Sequence, residues 1–237
     1  MIVKLLLALG VSMTAVAMPD DRAAERDLMV STVRNLAATV EPPGRRKLSP
    51  RVLGALRQVP RHAFVPEALQ PHAYQNRALP IGNGQTISQP YIVALMTDLL
   101  ELRADDVVLE VGAGSGYQAA VLATLVRQVY SLEIVEPLAR DATERLASLG
   151  YANVSVRQGD GYAGWPDQAP FDAIIVTAGA DYVPPPLVAQ LKPGGRMVIP
   201  VGKGDQELVL IEKGGDGRVR QRSILPVTFV PFTRDVR

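Results

Sequence analysis

Val107-Val108-Leu109-Glu110-Val111-Gly112-Ala113-Gly114-Ser115-Gly116-Tyr117 reads as a strand, a tight turn and the start of a helix. The first five residues are apolar except for Glu110, as in a strand buried on both faces. Glycines then recur at 112, 114 and 116. Without Cβ atoms the backbone can turn sharply there, and a ligand can come close to the main chain. The spacing is G-x-G-x-G and not the G-x-G-x-x-G of many dinucleotide folds. Alone, such a triplet can be no more than a tight strand-to-helix turn.

Two further acids give the turn meaning. Glu133 ends the next predicted strand, Gln128 to Ile134, and lies 133 − 112 = 21 residues after the first glycine. An acid at about that distance is placed to accept hydrogen bonds from a ribose diol. Asp160, between Gly159 and Gly161, follows a third predicted strand at Val154 to Val156. Its carboxylate can accept from an adenine amino group, while the glycines leave room for the ring.

Strands and helices alternate on either side of these positions. A helix is expected from the glycine turn through Val126, and another from Glu136 to Leu149, closed by Gly150. Phe171 to Val176 is a fourth strand, Pro184 to Leu191 a short helix, and Gly195 to Val201 a fifth strand. Late strands are expected at Leu208 to Glu212 and Val227 to Val230, joined across Gly214-Gly215-Asp216-Gly217. Repeated βα units imply an α/β, doubly wound, mostly parallel sheet with its ligand at the C-terminal strand ends. Upstream, Asp20 to Val40 has helical spacing, with Leu28, Val33, Leu36 and Val40 as apolar positions. Glu41 to Lys47 breaks it as a solvated loop. Ser49-Pro50 then opens a helix with Val52, Leu53, Leu56 and Val59 on its apolar face.

Composition narrows the chemistry. Among 237 residues there are 25 Lys+Arg against 24 Asp+Glu, so a binder held mainly by nucleic-acid phosphates is not expected. Cys is 0 and His is 2, which excludes disulfides and thiolates and leaves little for a Ser-His-Asp triad or a multi-histidine metal site. His62, His72 and Trp165 read as structural or surface residues. The first residues differ from the rest: Lys4, an apolar run from Leu5 to Val16, then Ala15-Val16-Ala17. This is the pattern of a secretory signal peptide, too short for a membrane span. Cleavage after Ala17 would remove one cation and no acid, taking the net charge from +1 to 0.

These residues together resemble the class I S-adenosylmethionine-dependent methyltransferases. The segment Leu79-Pro80-Ile81-Gly82-Asn83-Gly84-Gln85-Thr86-Ile87-Ser88-Gln89-Pro90 narrows the resemblance to the protein-L-isoaspartate O-methyltransferase family. It extends through Gly159-Asp160-Gly161, Phe171 to Ala178, Leu191 to Gly195 and Val230 to Thr233, over roughly residues 28 to 237. The resemblance implies a seven-stranded sheet whose last two strands are reordered, with an N-terminal helical extension. It implies methyl transfer from S-adenosyl-L-methionine, without a metal, to the free α-carboxylate of isoaspartyl residues. The resulting ester collapses to a succinimide, and hydrolysis restores some normal aspartate.

By the same resemblance, Ser88 lies where donor and acceptor carboxylate meet. Thr86, Ile87 and Gln89 line that loop, and Thr233 contacts the amino-acid end of the donor. Gly112, Ala113, Gly114, Ser115, Gly116, Glu133, Asp160 and Gly161 complete the expected donor site, and Ile199 to Gly202 would flank the peptide. The expected division is a signal-like segment 1–17, a helical region 18–78 and a methyltransferase core 79–237, with 18–237 forming one catalytic domain. Isoaspartyl proteins and peptides are the expected partners, with no nucleic acid, no stable membrane insertion after cleavage, and a monomeric state. Family resemblance points to the cytoplasm and the leader to export, and the sequence leaves both open.

Three alternatives use the same motifs. A methyltransferase for RNA or a small molecule would want a basic surface, or a polar Asn/Asp-Pro-Pro-Tyr-type clamp after the fourth strand. Thr177-Ala178-Gly179-Ala180 stands there instead. A nicotinamide oxidoreductase would want different glycine spacing and a catalytic Tyr-Lys pair or His. A non-catalytic module with the same fold is the third.

Overall fold

The computed structural model describes residues 22–40 and 47–234. The signal-like segment 1–17 and all of the expected loop 41–47 but Lys47 lie outside the described residues.

Two helices come first. Helix α1 spans Ala23–Val40 and α2 spans Pro50–Gln58. Met29, Val30, Val33 and Ala37 form the buried face of α1, at the three- and four-residue spacing that a helix requires. Leu28, expected on that face, lies one position off it and is 69% exposed. Ser49 caps α2, its Oγ accepting from the Val52 N–H at 3.3 Å, and Pro50 occupies the first turn. Val52, Leu53, Leu56 and Val59 are all buried, as their spacing predicts.

A hairpin of β1 (Leu79–Gly82) and β2 (Gln85–Ile87) follows, then α3 (Pro90–Leu99). The central sheet contains β3 (Val107–Val111), β4 (Gln128–Glu133), β5 (Val154–Gln158), β6 (Phe171–Val176), β7 (Leu191–Val201), β8 (Gln206–Lys213) and β9 (Val219–Val227). Helices α4 (Tyr117–Ala123), α5 (Glu136–Ser148) and α6 (Pro185–Gln190) connect them. Strand order is β5-β4-β3-β6-β7-β8-β9, and β8 alone runs against the others. This is the mostly parallel, seven-stranded α/β sheet expected of a class I methyltransferase, with the last two strands in sequential order.

Alternation along each strand separates two cores. Val108, Ala173, Ile175 and Val198 pack with α1 to α4 on one face. Leu109, Val111, Ile174, Val176 and Met197 pack with Leu187 of α6 on the other. Burial on both faces explains why β3 and β6 read as near-continuous apolar runs.

Several boundaries need correction, among them the start of β7, which is Leu191 and not Gly195. Helix α4 ends at Ala123, short of Val126. The last strand is Val219–Val227, not Val227 to Val230. It pairs with β8 as an edge strand, and Arg220 and Arg222 face solvent there, so an apolar pattern could not reveal it. Residues 228–230 instead begin a strap across the C-terminal ends of the strands.

Candidate functional site

The parallel strands β3, β4, β5 and β6 end on one side of the sheet, and their loops build a cleft there. Gly112 and Gly114 line it, with Glu133 and Ile134 after β4, Gly159 and Gly161 after β5, Thr177 and Ala178 after β6, and Val230 to Thr233 of the strap. Gln85 and Thr86 of β2 close one end.

Glu133 anchors the floor. Its Oε2 accepts the Gly114 N–H at 2.8 Å and its Oε1 accepts the Val135 N–H at 3.0 Å. A carboxylate has about four acceptor positions, so capacity remains for a ribose diol. Gly112 has φ +100°, and a Cβ there would sit 2.4 Å from Thr177 Oγ1. That hydroxyl lies against two main-chain carbonyls, Gly112 O at 2.6 Å and Val111 O at 3.1 Å, locking the β6 end to the glycine turn. Gly161 is excluded from substitution by space alone: its Cβ would lie 2.2 Å from Val111 Cγ1 and 2.9 Å from Phe232 Cε2.

The other expected donor residues are placed less directly. Ala113, Ser115 and Gly116 are buried behind the cleft wall, with Gly116 packed under Leu146. Asp160 flanks the cleft; its Oδ1 accepts the Tyr162 N–H at 2.9 Å, and Oδ2 stands 3.6 Å from Arg234. Ile87 is buried in the core. Thr86 and Thr233 both line the cleft.

A second cleft adjoins the first. Ser88 and Gln89 line it with Ile92, Asp205, Glu207 and Phe229, and Thr86, Thr177 and Val230 belong to both walls. Among the described residues no Lys, Arg or His lines it. The β1–β2 hairpin that carries Thr86 leans over the glycine turn, where an ideal Cβ on Gly114 would lie 3.3 Å from Ile81 Cδ1. The hydrophobic pattern does not disclose the hairpin, yet Asn83-Gly84 signals it: both residues have positive φ, 52° and 71°, as a type I′ turn requires. No motif in the sequence gives a role to Thr177 or to Gln206; the structure places Thr177 on both clefts and Gln206 on the second.

Behind the glycine turn, Glu110 is fully buried on β3. Ser131 Oγ donates to its Oε2, and its Oε1 has no hydrogen-bond partner. Burial first, and then the nearby Glu133 charge, push its carboxyl up to about 8, against the Ser131 hydrogen bond. His62 meets Tyr74 Oη at 2.6 Å and His72 is exposed; neither lines either of these two clefts. Trp165 is packed edge-on to Tyr130, with Arg157 over its ring at 4.0 Å. Among the described residues no cluster of His, Cys, Asp and Glu is placed to hold a metal, and no helix is long and apolar enough to cross a membrane.

The sheet order, the glycine turn and the acid ending β4 define a class I methyltransferase fold. The family described as protein-L-isoaspartate(D-aspartate) O-methyltransferase matches residues 40–237. A Cupriavidus necator protein named protein-L-isoaspartate O-methyltransferase 1 is 56% identical over 229 residues, 95% of this chain and 88% of its own. A Syntrophobacter fumaroxidans protein-L-isoaspartate O-methyltransferase 2 is 57% identical over 235 residues, 98% of this chain and 95% of its own. A solved protein-L-isoaspartate O-methyltransferase superposes with TM-score 0.77 at 28% identity, covering 87% of this chain and 65% of that one. A Plasmodium falciparum chain given the same enzyme name, solved with S-adenosyl-L-homocysteine, superposes with TM-score 0.72 at 25% identity, covering 87% of this chain and 99% of that one. The chain belongs to the protein-L-isoaspartate(D-aspartate) O-methyltransferase family.

Proposed function

We propose that this chain is a protein-repair enzyme that methylates the free α-carboxylate of L-isoaspartyl residues, using S-adenosyl-L-methionine. One observation carries the reading: Ser88 sits in a cleft that shares Thr86, Thr177 and Val230 with the glycine-floored cleft. Donor and acceptor can therefore meet across a common wall.

The first cleft fits the donor by its own features. Gly112 and Gly161 stand where Cβ atoms would strike neighbouring side chains, and Glu133 presents a carboxylate fixed by two main-chain N–H groups. Glu133 would hold the ribose and the Gly159–Gly161 turn the base. S-adenosyl-L-methionine, when bound, supplies a methyl group already activated on a sulfonium.

The chain's own work is then positioning. A peptide carboxylate, with an ordinary pKa of about 3.5, is ionised at neutral pH and needs no base. This accounts for an acceptor cleft in which, among the described residues, neither His nor Lys stands on the wall. A cation beside the carboxylate would hold its electron pair and favour the ground state over the transition state. Ser88 would orient one carboxylate oxygen by donating a hydrogen bond, and the apolar side chains of Ile92 and Phe229 would exclude water from it. Correct positioning can contribute up to about 7–11 kcal/mol in favourable cases. The test is transfer of labelled methyl to an isoaspartyl peptide, with none to its aspartyl twin.

We further infer that residues 1–17 are an export signal and that 18–237 act as one catalytic unit. Lys4, the apolar run and Ala15-Val16-Ala17 support the first. Continuity of the core from α1 through β3 and β6 supports the second. Intact mass of protein from an exporting bacterium should show a chain beginning at Met18; a full-length chain overturns the export reading.

A further inference from the structure

The strap 228–233 forms part of both clefts: Thr228 and Phe229 line the second, Pro231 to Thr233 line the first, and Val230 lines both. It belongs to no strand, so something must fix its register. Main-chain bonds to Gly179 do part of this, with the Gly179 N–H donating to Val230 O and the Phe232 N–H to Gly179 O, both at 2.8 Å. A side chain does another part. Gln206, at the start of β8, takes the Phe229 N–H on Oε1 at 2.7 Å and donates from Nε2 to Phe229 O at 3.1 Å. Its carboxamide thus acts as a short piece of strand, satisfying the acceptor and the donor of one strap residue. It also passes so close to Gly179 that a Cβ there would sit 2.2 Å from Nε2. The carboxamide grips the strap at Phe229, and the Gly179 main chain grips it at Val230 and Phe232.

We propose that Gln206 is a positioning residue for methyl transfer: its carboxamide sets the register of the strap, and through Val230 and Phe229 the alignment of the two clefts. The inference rests on the two-substrate reading above. Both ends of the Gln206 carboxamide are taken up by Phe229. It acts through Phe229, so its loss changes how donor and acceptor line up more than how the donor is held.

Gln206→Glu tests this with little change of shape. An ionised carboxylate still accepts the Phe229 N–H but sets an unprotonated oxygen against Phe229 O. A protonated carboxyl restores the donor. Asp205 and Glu207 flank the position in the chain, and Lys203 and Asp181, 3.9 Å apart, stand three residues before Gln206 and two after Gly179 in sequence. The acids favour the protonated form, bringing the switch into a usable pH range. At pH 8 the variant should lose about tenfold in kcat on an isoaspartyl peptide, the effect of one hydrogen bond worth about 1.4 kcal/mol. Binding of S-adenosyl-L-homocysteine should change less than about threefold. Relative to wild type, kcat should recover as the pH falls. Amide exchange at Phe229, measured without ligand, should be faster than in wild type at pH 8 and return towards it in acid. A variant that matches wild type at every pH overturns the proposal, and so does a loss that is the same at every pH. A wild-type protein with no transfer to the isoaspartyl peptide overturns the functional reading instead, while the exchange data still decide whether Gln206 holds the strap.

Discussion

The Gly114 N–H points at Glu133 Oε2 across 2.8 Å, so the glycine turn after β3 and the acid ending β4 form one unit. The second oxygen holds the Val135 N–H at the start of α5. One carboxylate therefore ties the turn, the β4 end and the next helix together while facing the cleft. Glu133→Ala removes a ribose acceptor and frees two main-chain donors. A hydrogen bond to a charged group is worth about 1.5–3 kcal/mol, so donor affinity should fall roughly 10- to 150-fold. Calorimetry with S-adenosyl-L-homocysteine on the folded variant checks this, and unchanged affinity would remove Glu133 from the donor site.

Ser88 faces the second cleft only. Ser88→Ala should keep the fold and the donor affinity, because Glu133 and the glycine turn lie in the other cleft. Methyl transfer should fall about 10- to 150-fold if the lost bond acts in the transition state. Mass spectrometry of wild-type enzyme incubated with donor alone should show no methyl adduct on Ser88. An adduct that chases into product would make Ser88 a nucleophile.

Gly161 and Gly215 make a matched pair. A Cβ on Gly161 would lie within 2.2 Å of Val111 Cγ1, whereas one on Gly215 would meet nothing within 4 Å. Gly161→Ala should cost about 1–3 kcal/mol, the range for overpacking, and weaken donor binding through displaced Phe232. Gly215→Ala should stay within about 0.5 kcal/mol. Urea unfolding of the two variants decides whether space, and not flexibility, requires glycine at 161.

Glu110 makes stability depend on pH. Its carboxyl titrates at about 8 when folded, against an ordinary value of 4.5. Between these values the native state holds a proton that the unfolded chain has released. Stability from this group is therefore complete below about pH 4.5 and is lost as pH rises towards 8, with a slope of up to about 1.4 kcal/mol per pH unit. Glu110→Gln, which stays neutral, should flatten that slope and be relatively more stable above pH 8. Denaturant midpoints across pH 5 to 9 for both proteins give the comparison, and parallel curves would show that Glu110 does not titrate in this range.

Much of this was legible in the sequence, for identifiable reasons. Strands β3 and β6 are buried on both faces, so Val107–Val111 and Phe171–Val176 could be bounded to the residue. Ser49 and Gly150 marked helix ends because capping depends on local chemistry. Edge strand β9 was misplaced because it buries little, and Arg220 and Arg222 hide its alternation. The burial of Ala113, Ser115 and Ile87 was equally invisible: motif spacing shows that a residue is near a turn, not which way its side chain faces. The Gln206 grip on Phe229 spans 23 residues, and no local pattern encodes it.

The central claim is that the Ser88 cleft and the Glu133 cleft serve one reaction, and the most direct measurement is methyl transfer from labelled S-adenosyl-L-methionine. Two peptides identical except for an isoaspartyl or an aspartyl linkage are offered to the wild-type protein, and base-labile methyl ester is counted. Label in the isoaspartyl peptide and none above background in its twin is the predicted result. Equal label in both peptides, or none in either while the donor binds, would contradict it.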